Sequence, residues 1–158
     1  LGIKSELKWP NDLTLKGKKI AGILLGTSIE SNKIEFLVIG VGINFKIKIR
    51  NLERLLKKTP NFYGVASLVE KNEKPLALVK QFLYELENIF QMIDSGYNKK
   101  IISQWTKRSS TIGKNISVLI NDKRINGKAI KLDSDGALII SKGRKTDRLL
   151  VGDVIHKN

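Results

Sequence analysis

The chain has 158 residues, 41% of them hydrophobic, which suits one ordinary domain or a compact domain with a small satellite. Without cysteine, and with His156 as the single histidine, disulfides and thiolate metal sites are excluded, and a histidine metal site or a Ser-His-Asp triad is disfavoured. The sequence has neither an apolar run long enough to span a bilayer nor the core of a secretory signal, so we expect a cytoplasmic protein.

The net charge of +14 favours an anionic partner. The basic residues are dispersed in pairs and triplets, so a lysine-rich surface without a specific role is one interpretation. A nucleic-acid-binding face and a surface for an acidic protein are two others. Residues 113–158 contain no Phe, Trp or Tyr, which counts against binding single strands by stacking.

The first predicted elements are two strands. Lys19 to Thr27 is apolar after a lysine-bearing turn and predicts a buried strand, and Ile34 to Asn44 predicts a second. The polar residues between them predict a hairpin. Gly40 and Gly42 weaken the second strand, which suggests that either a ligand or another backbone approaches one face closely.

The stretch before these strands carries a candidate charge pair. Pro10 fixes the backbone and biases Trp9 toward an extended conformation, which holds Asn11 and Asp12 in place. If the chain folds back as a hairpin, Asp12 meets Lys19. Such a pair could position an anionic substrate and an incoming amine, or it could be a surface ion pair that contributes little.

The middle of the chain predicts a loop and two helices. Ile47 to Tyr63 is irregular and basic and suggests a surface or mobile loop. Pro75 to Ile93 has apolar residues at helical spacing, and we expect this helix to be core scaffold. Asn98 to Lys107 predicts a second, short helix.

From Gly113 onward the pattern changes to short strands. They are predicted at Asn115 to Ile120, Ile125 to Leu132, Leu138 to Ser141 and Arg148 to Ile155. Turn-forming residues separate them, so we expect a small antiparallel barrel. We place a domain boundary near Ser109 to Gly113.

Several motifs resemble biotin protein ligases. K-W-P-N-D-L (residues 8–13), K-K-I-A-G-I-L (18–24) and V-I-G-V-G-I-N (38–44) resemble the central part of these enzymes, and V-A-S-L (65–68) fits as well. The segments that begin at Gly113, Gly127 and Val151 resemble the SH3-like C-terminal domain of the family. Each motif is short, but together they are specific and span nearly the whole chain.

The resemblance implies an α+β fold. Residues 1–110 would be the C-terminal part of a catalytic domain with the mixed sheet and helices of class II aminoacyl-tRNA synthetases and biotin ligases. Residues 111–158 would be an SH3-like β-barrel. The implied enzyme joins biotin and ATP to biotinyl-AMP, with Mg²⁺ expected on the phosphates and no metal ligand assigned in the chain. It then passes the biotin to a lysine of an acidic biotin carboxyl carrier domain.

By the same resemblance, Lys19 and Asp12 are the catalytic residues. Lys19 would contact the biotin carboxyl and phosphate oxygens, and Asp12 would orient Lys19 or the carrier lysine. Asn44 would lie near the adenine. The expected substrate-binding residues are Trp9, Asn11, Lys19, Gly22, Ile23, Gly40, Gly42, Ile43 and Asn44. A homodimer is left open, and nothing resembles the DNA-binding helix-turn-helix of some family members.

Two departures from the family qualify this expectation. Gly26 stands where the family usually has Glu, and Glu30 is not an obvious substitute. The Gly/Arg-rich biotin-binding loop (G-R-G-R-x-G), which precedes W-P-N-D in the family, has no counterpart here. We therefore expect a piece of a longer chain, a truncated copy or one half of a two-chain enzyme. Alone it should lack efficient ligase activity and leave part of its sheet unpaired.

Two alternatives stay open beside the ligase interpretation. One is a non-catalytic fragment or subunit of such an enzyme, which the missing loop and Gly26 favour. The other is an enzyme of the lipoate protein ligase type, although W-P-N-D-L together with G-V-G-I-N favours biotin.

Overall fold

The computed structural model describes residues 3–31, 33–59, 62–68, 75–120 and 123–156. Within these ranges none of the helices is long and apolar enough to cross a membrane. Strands and helices both occur, which confirms the α+β class. In chain order the elements are β1 (Glu6–Lys8), β2 (Asp12–Leu15), β3 (Lys18–Glu30), β4 (Lys33–Ile43), α1 (Ile49–Leu56), α2 (Pro75–Asp94), α3 (Asn98–Lys107), β5 (Asn115–Ile120), β6 (Lys123–Leu132), β7 (Leu138–Lys142), β8 (Lys145–Leu149) and β9 (Asp153–His156).

The first sheet is antiparallel, with the strand order β1-β2-β3-β4. The predicted hairpin of β3 and β4 is confirmed, and Gly22 lies opposite Gly42 in its register. Strand β3 continues to Glu30 and β4 begins at Lys33, so both strands extend into the residues predicted to form the turn. Ser31 has a positive φ of 50°, which suits a tight connection.

The expectation that β3 is buried was wrong for most of its length. Ile20 and Ala21 are buried, but Leu24 is 72% exposed and Leu25 is 59% exposed. On β4, Val38 is 56% exposed. The hairpin is covered only where it adjoins β2, since no other described element packs over its far half. Its apolar composition therefore marks a face that this part of the chain leaves uncovered.

The helices differ from their predictions in two respects. The segment expected to be an irregular loop contains α1, because Ile49, Leu52 and Leu56 recur at helical spacing. The long helix α2 forms as predicted, but it has no buried residue, so its assignment as core scaffold was wrong. It contacts α3, which spans the predicted residues, and leaves Leu83 56% exposed.

The second sheet is also antiparallel, with the strand order β8-β7-β6-β5-β9. The strand predicted from Arg148 to Ile155, with Gly152-Asp153 as a turn or kink, divides into two strands, because residues 150–152 leave the ladder and Gly152 adopts a φ of 143°. Among the described residues, the edge strands β8 and β9 do not pair with each other. The antiparallel sheet is confirmed, whereas the closed barrel is not seen.

Trp9 joins the two sheets. Its side chain belongs to the same buried cluster as Ile116 and Val118 of β5, and the residue is 3% exposed. Its indole Nε1–H donates to the carbonyl of Gly136 at 3.0 Å, and its backbone N–H donates to Thr111 Oγ1 at 3.1 Å. The predicted boundary coincides with the change of sheet, but Trp9, which lies between β1 and β2, packs into the core of the second sheet. The division into domains stays a prediction.

Gly127 lies where the backbones of β6 and β7 come close together. A β-carbon there would lie 2.6 Å from the carbonyl oxygen of Ser141. We expect Gly127→Ala to lower the free energy of unfolding by about 2 kcal/mol, because the paired backbones would have to separate. Denaturant unfolding measures this. Gly42→Ala is the matched control, since its β-carbon would meet nothing nearer than 4.0 Å. Equal losses in both variants would contradict the prediction.

Candidate active site

The hairpin of β2 and β3 brings Asp12 and Lys19 together. Lys19 Nζ lies 2.5 Å from Asp12 Oδ1, so the expected meeting of these residues is confirmed. A β-bulge allows this contact. Leu13 pairs with Ala21 but Thr14 pairs with Lys19, which leaves one extra residue in β3. In a regular strand Lys19 and Gly22, three residues apart, would face opposite sides of the sheet, and the bulge turns Lys19 onto the face of Gly22.

Gly22 gives the ion pair its space. A β-carbon at this position would lie 3.1 Å from Lys19 Nζ and 3.2 Å from Asp12 Oδ1. Any larger residue would therefore displace the ammonium or the carboxylate. The glycine of the K-K-I-A-G-I-L motif is explained by this contact.

Gly40 and Gly42 lie on the same face as Gly22, on the neighbouring strand. A β-carbon at Gly42 would be 4.0 Å from the nearest atom, and one at Gly40 would be 3.5 Å from the carbonyl oxygen of Leu24. These are ordinary van der Waals distances, so strand packing does not require glycine at either position. Close approach of a ligand is the better explanation of the two. Gly26 likewise leaves room for a side chain, with Val38 4.0 Å away.

Tyr63 is a site residue that the sequence analysis missed. Its hydroxyl donates a hydrogen bond of 2.6 Å to Asp12 Oδ2, the carboxylate oxygen that Lys19 leaves free. Burial and this hydrogen bond raise the pKa of the Tyr63 hydroxyl above its ordinary value, so it stays protonated as a donor. Tyr63 lies at the end of the segment that was predicted to be a loop, and no sequence signal linked it to Asp12.

Lys8 was also missed, although it begins the K-W-P-N-D-L motif. It is 7% exposed, and its Nζ lies 3.4 Å from the centre of the Tyr63 ring, a cation–π contact. Burial lowers the pKa of Lys8 to about 8, with Lys19 also lowering it and Asp12 opposing the shift. In the described ranges no carboxylate lies within ion-pair distance of Lys8.

The pKa of Lys8 predicts a pH dependence of stability. Between the folded pKa of about 8 and the ordinary value of 10.5, the unfolded chain binds more protons, so stability rises with pH. Across that window we expect the difference in unfolding free energy between the native protein and Lys8→Met to shift by about 2 kcal/mol in favour of the native protein. Urea unfolding of both proteins at several pH values measures this. A constant difference would show that Lys8 is not desolvated.

Asn11 and Asn44 hold the backbone around the ion pair. Asn44 Nδ2 donates to the carbonyls of Lys19 at 3.1 Å and Ala66 at 3.0 Å, which uses both of its amide hydrogens. Asn11 Nδ2 donates to the carbonyl of Ile23 at 2.6 Å. Both side chains therefore fix strand β3, and the Oδ1 atom of Asn44 is the part left to receive a donor.

Alternation along the strands turns the side chains of Ile23 and Ile43 away from the ion pair, because each is adjacent in sequence to Gly22 or Gly42. Trp9 borders the cavity beside the ion pair, but its indole packs against the second sheet. The contacts of these three residues with substrate stay a prediction.

A cavity of about 460 Å³ adjoins the ion pair. Its polar lining residues include Asn11, Asp12, Lys19 and Asn44, and its apolar lining residues include Leu52, Leu56, Phe62 and Val65. Such a cavity suits a ligand with a flat apolar part and an anionic part. Gly22, Gly40 and Gly42 lie beyond Lys19, on the open face of the hairpin.

Comparison with known proteins agrees with the motifs. Residues 1–44 match the Biotin/lipoate A/B protein ligase family. The chain is 30% identical over 155 residues to the biotin--[acetyl-CoA-carboxylase] ligase of Mycobacterium tuberculosis, with 97% of this chain and 53% of that protein covered. It is 29% identical to the bifunctional ligase/repressor BirA of Escherichia coli, with 88% of this chain and 42% of that protein covered. The chain thus spans about half the length of these relatives.

Solved structures show the same fold. The biotin protein ligase of Aquifex aeolicus matches with a TM-score of 0.75 and 21% identity, covering 98% of this chain and 65% of that one. The same enzyme in complex with biotin and ATP matches with a TM-score of 0.73 and 19% identity, covering 97% of this chain and 62% of that one. The resemblance to biotin protein ligases is confirmed, and the chain has their fold over its described length.

Proposed function

We propose that this chain carries part of the active site of a biotin protein ligase, with Lys19 and Asp12 as its catalytic residues. The observation that carries the proposal is the Asp12–Lys19 ion pair at 2.5 Å, beside the glycines of the open sheet face. It lies within the residues matched by the ligase family. The adjoining cavity has both polar and apolar lining residues, which suits an adenylate.

In the first step, a carboxylate oxygen of biotin attacks the α-phosphorus of ATP. The new C–O–P linkage forms biotinyl-AMP, and the bond to pyrophosphate breaks. Negative charge grows on the phosphoryl oxygens as the bonds exchange. The Lys19 ammonium, fixed in place by Asp12, stabilises that charge. Gly22, Gly40 and Gly42 let the ligand approach the backbone.

In the second step, the amine of a carrier lysine attacks the acyl carbon of biotinyl-AMP. The amide bond forms, AMP leaves, and the amine loses a proton. Charge again collects on oxygens near Lys19 as the tetrahedral intermediate forms. Asp12 either keeps Lys19 in place or orients the incoming amine. Asn44 lies near the adenine, where its Oδ1 atom can accept a hydrogen bond.

Mg²⁺ is expected on the phosphates from the resemblance. Within the described ranges no three His, Cys, Asp or Glu residues gather as a metal site. Mg²⁺ commonly takes one or two carboxylates together with substrate phosphates. Of the two carboxylates that line the cavity, Asp12 already has Lys19 and Tyr63 as partners, so Asp153 is the residue that would hold the ion. The ion would neutralise phosphate charge when bound, and the roles of Lys19 and Asp12 do not depend on it.

Titration of this chain with biotinyl-AMP by calorimetry tests the proposal. We expect saturable binding, with lipoyl-AMP bound at least tenfold more weakly, on the order of what a differently shaped acyl group costs in a fitted pocket. Tighter binding of lipoyl-AMP would support the lipoate alternative. No binding of either compound to folded protein would overturn the proposed function and favour a non-catalytic fragment.

The net charge of +14 suits an acidic carrier domain as the protein partner. We expect the association rate with an acidic biotin carboxyl carrier domain to fall about tenfold as salt is raised from about 50 to about 500 mM, because screening removes electrostatic steering. Stopped-flow fluorescence measures this rate. An association rate that does not depend on salt would show that the net charge does not steer the carrier domain to this chain. A cytoplasmic location and a homodimer remain expectations.

A further inference from the structure

We infer that Tyr63 is a positioning residue of this site, which holds the Asp12 carboxylate so that Lys19 stays over Gly22. The inference rests on the proposed function, because it assigns Tyr63 a role in the same binding surface. Tyr63 acts through Asp12 and does not touch the reacting atoms.

The two oxygens of Asp12 are divided between two partners. Oδ2 accepts the hydrogen bond of Tyr63 at 2.6 Å, and Oδ1 lies 2.5 Å from Lys19 Nζ. The Asp12 side chain is 14% exposed, so little water competes for it. The Lys19 side chain is 42% exposed and would otherwise lose its orientation readily. A carboxylate fixed at one oxygen presents the other in one direction.

Tyr63 is itself held on both sides. The Lys8 ammonium lies 3.4 Å from the centre of its ring. The following residue, Gly64, accepts the backbone N–H of Lys19 at 3.1 Å, and Lys19 accepts the N–H of Ala66 at 2.8 Å. The backbone that carries Tyr63 is therefore registered directly against Lys19. The contact between hydroxyl and carboxylate closes a loop of interactions around the ion pair.

The contact is directional, which separates Tyr63 from its neighbour Phe62. Both line the cavity, but Phe62 contributes only apolar surface. A residue that only lines the cavity would not need a hydroxyl that donates a hydrogen bond to Asp12. The replacement Tyr63→Phe keeps the ring, the cavity wall and the cation–π contact, and removes the hydroxyl alone.

A double-mutant cycle with biotinyl-AMP as the ligand tests the inference. We expect Tyr63→Phe to weaken binding about tenfold, as for a hydrogen bond to a charged group. In the Lys19→Ala background, the same change should have less than about a twofold effect, because the group that Tyr63 positions is gone. Tyr84→Phe is the matched control, since Tyr84 is 61% exposed on α2. If Tyr63→Phe weakens binding equally in the native and Lys19→Ala backgrounds, Tyr63 has only a structural role and the inference is overturned.

A second readout needs no ligand. The ¹⁵N resonance of the Lys19 ammonium should shift in Tyr63→Phe and stay unchanged in Tyr84→Phe. An unchanged resonance in both variants would overturn the inference, whether or not the ligand binds. If the native chain does not bind biotinyl-AMP but the resonance shifts, the proposed function fails while the hold of Tyr63 on Lys19 stands.

Discussion

Replacing Lys19 with alanine should weaken the binding of biotinyl-AMP by about 100-fold, because a hydrogen bond to a charged group contributes about 1.5–3 kcal/mol. The bulge in β3 turns the Lys19 ammonium onto the same face of the sheet as Gly22. The variant also leaves Asp12 with one partner, so a carboxylate would face the anionic phosphate without compensation. Both effects act in the same direction.

Lys142→Ala is the matched control for this experiment. Lys142 forms an ion pair of 2.5 Å with Asp147, and its side chain is 39% exposed against 42% for Lys19. Each variant therefore removes one positive charge and one ion pair. Lys19→Ala does so at the site, and Lys142→Ala does so in the second sheet. If both weaken binding equally, general charge and not a specific contact attracts the ligand. If neither does, Lys19 has no role in binding.

Replacing Trp9 with alanine should lower the free energy of unfolding by about 3–5 kcal/mol, the range for deleting a large buried aromatic side chain. Trp9 is 3% exposed and packs in the core of the second sheet. The change would also leave the carbonyl of Gly136 without its indole donor. Denaturant unfolding followed by circular dichroism measures the loss.

Two further variants separate the causes. Trp9→Phe keeps much of the packing but loses the hydrogen bond, so it should cost less than alanine. Leu150→Ala, at a position that is 64% exposed, should change stability by less than about 0.5 kcal/mol. If Trp9→Ala unfolds with nearly native stability, the core of the second sheet does not depend on Trp9.

Local sequence was sufficient for most elements. Helix α3 has the predicted bounds and α2 is one residue longer than predicted, because their apolar residues repeat at the helical period. The hairpin of β3 and β4 followed from polar residues between two apolar runs. Helix α1 was missed because it is short and lies in a basic segment.

The site divides differently between sequence and structure. Asp12 and Lys19 could be paired from the sequence, because a hairpin between them is a short-range event. Tyr63 could not, since it is 51 residues from Asp12 and reaches it only through the pairing of its segment with Lys19. Trp9 was predicted to bind substrate because it belongs to the K-W-P-N-D-L motif. The core that contains its ring is formed by strands more than 100 residues later in the chain, which the motif does not indicate.

By itself, the sequence determined α2, α3, the hairpin of β3 and β4, the resemblance to biotin protein ligases and the charge pair of the site. Helices, hairpins and short motifs depend on residues close together in the chain. Only the tertiary structure decided which faces are covered, which side chains share the face of Gly22 and which residues hold the pair in place. Those outcomes depend on the bulge where β3 pairs with β2, which reverses strand alternation, and on contacts between segments that are distant in sequence. The burial of Trp9 and the exposure of Leu24 have the same origin, because an apolar side chain is buried only where another element covers it.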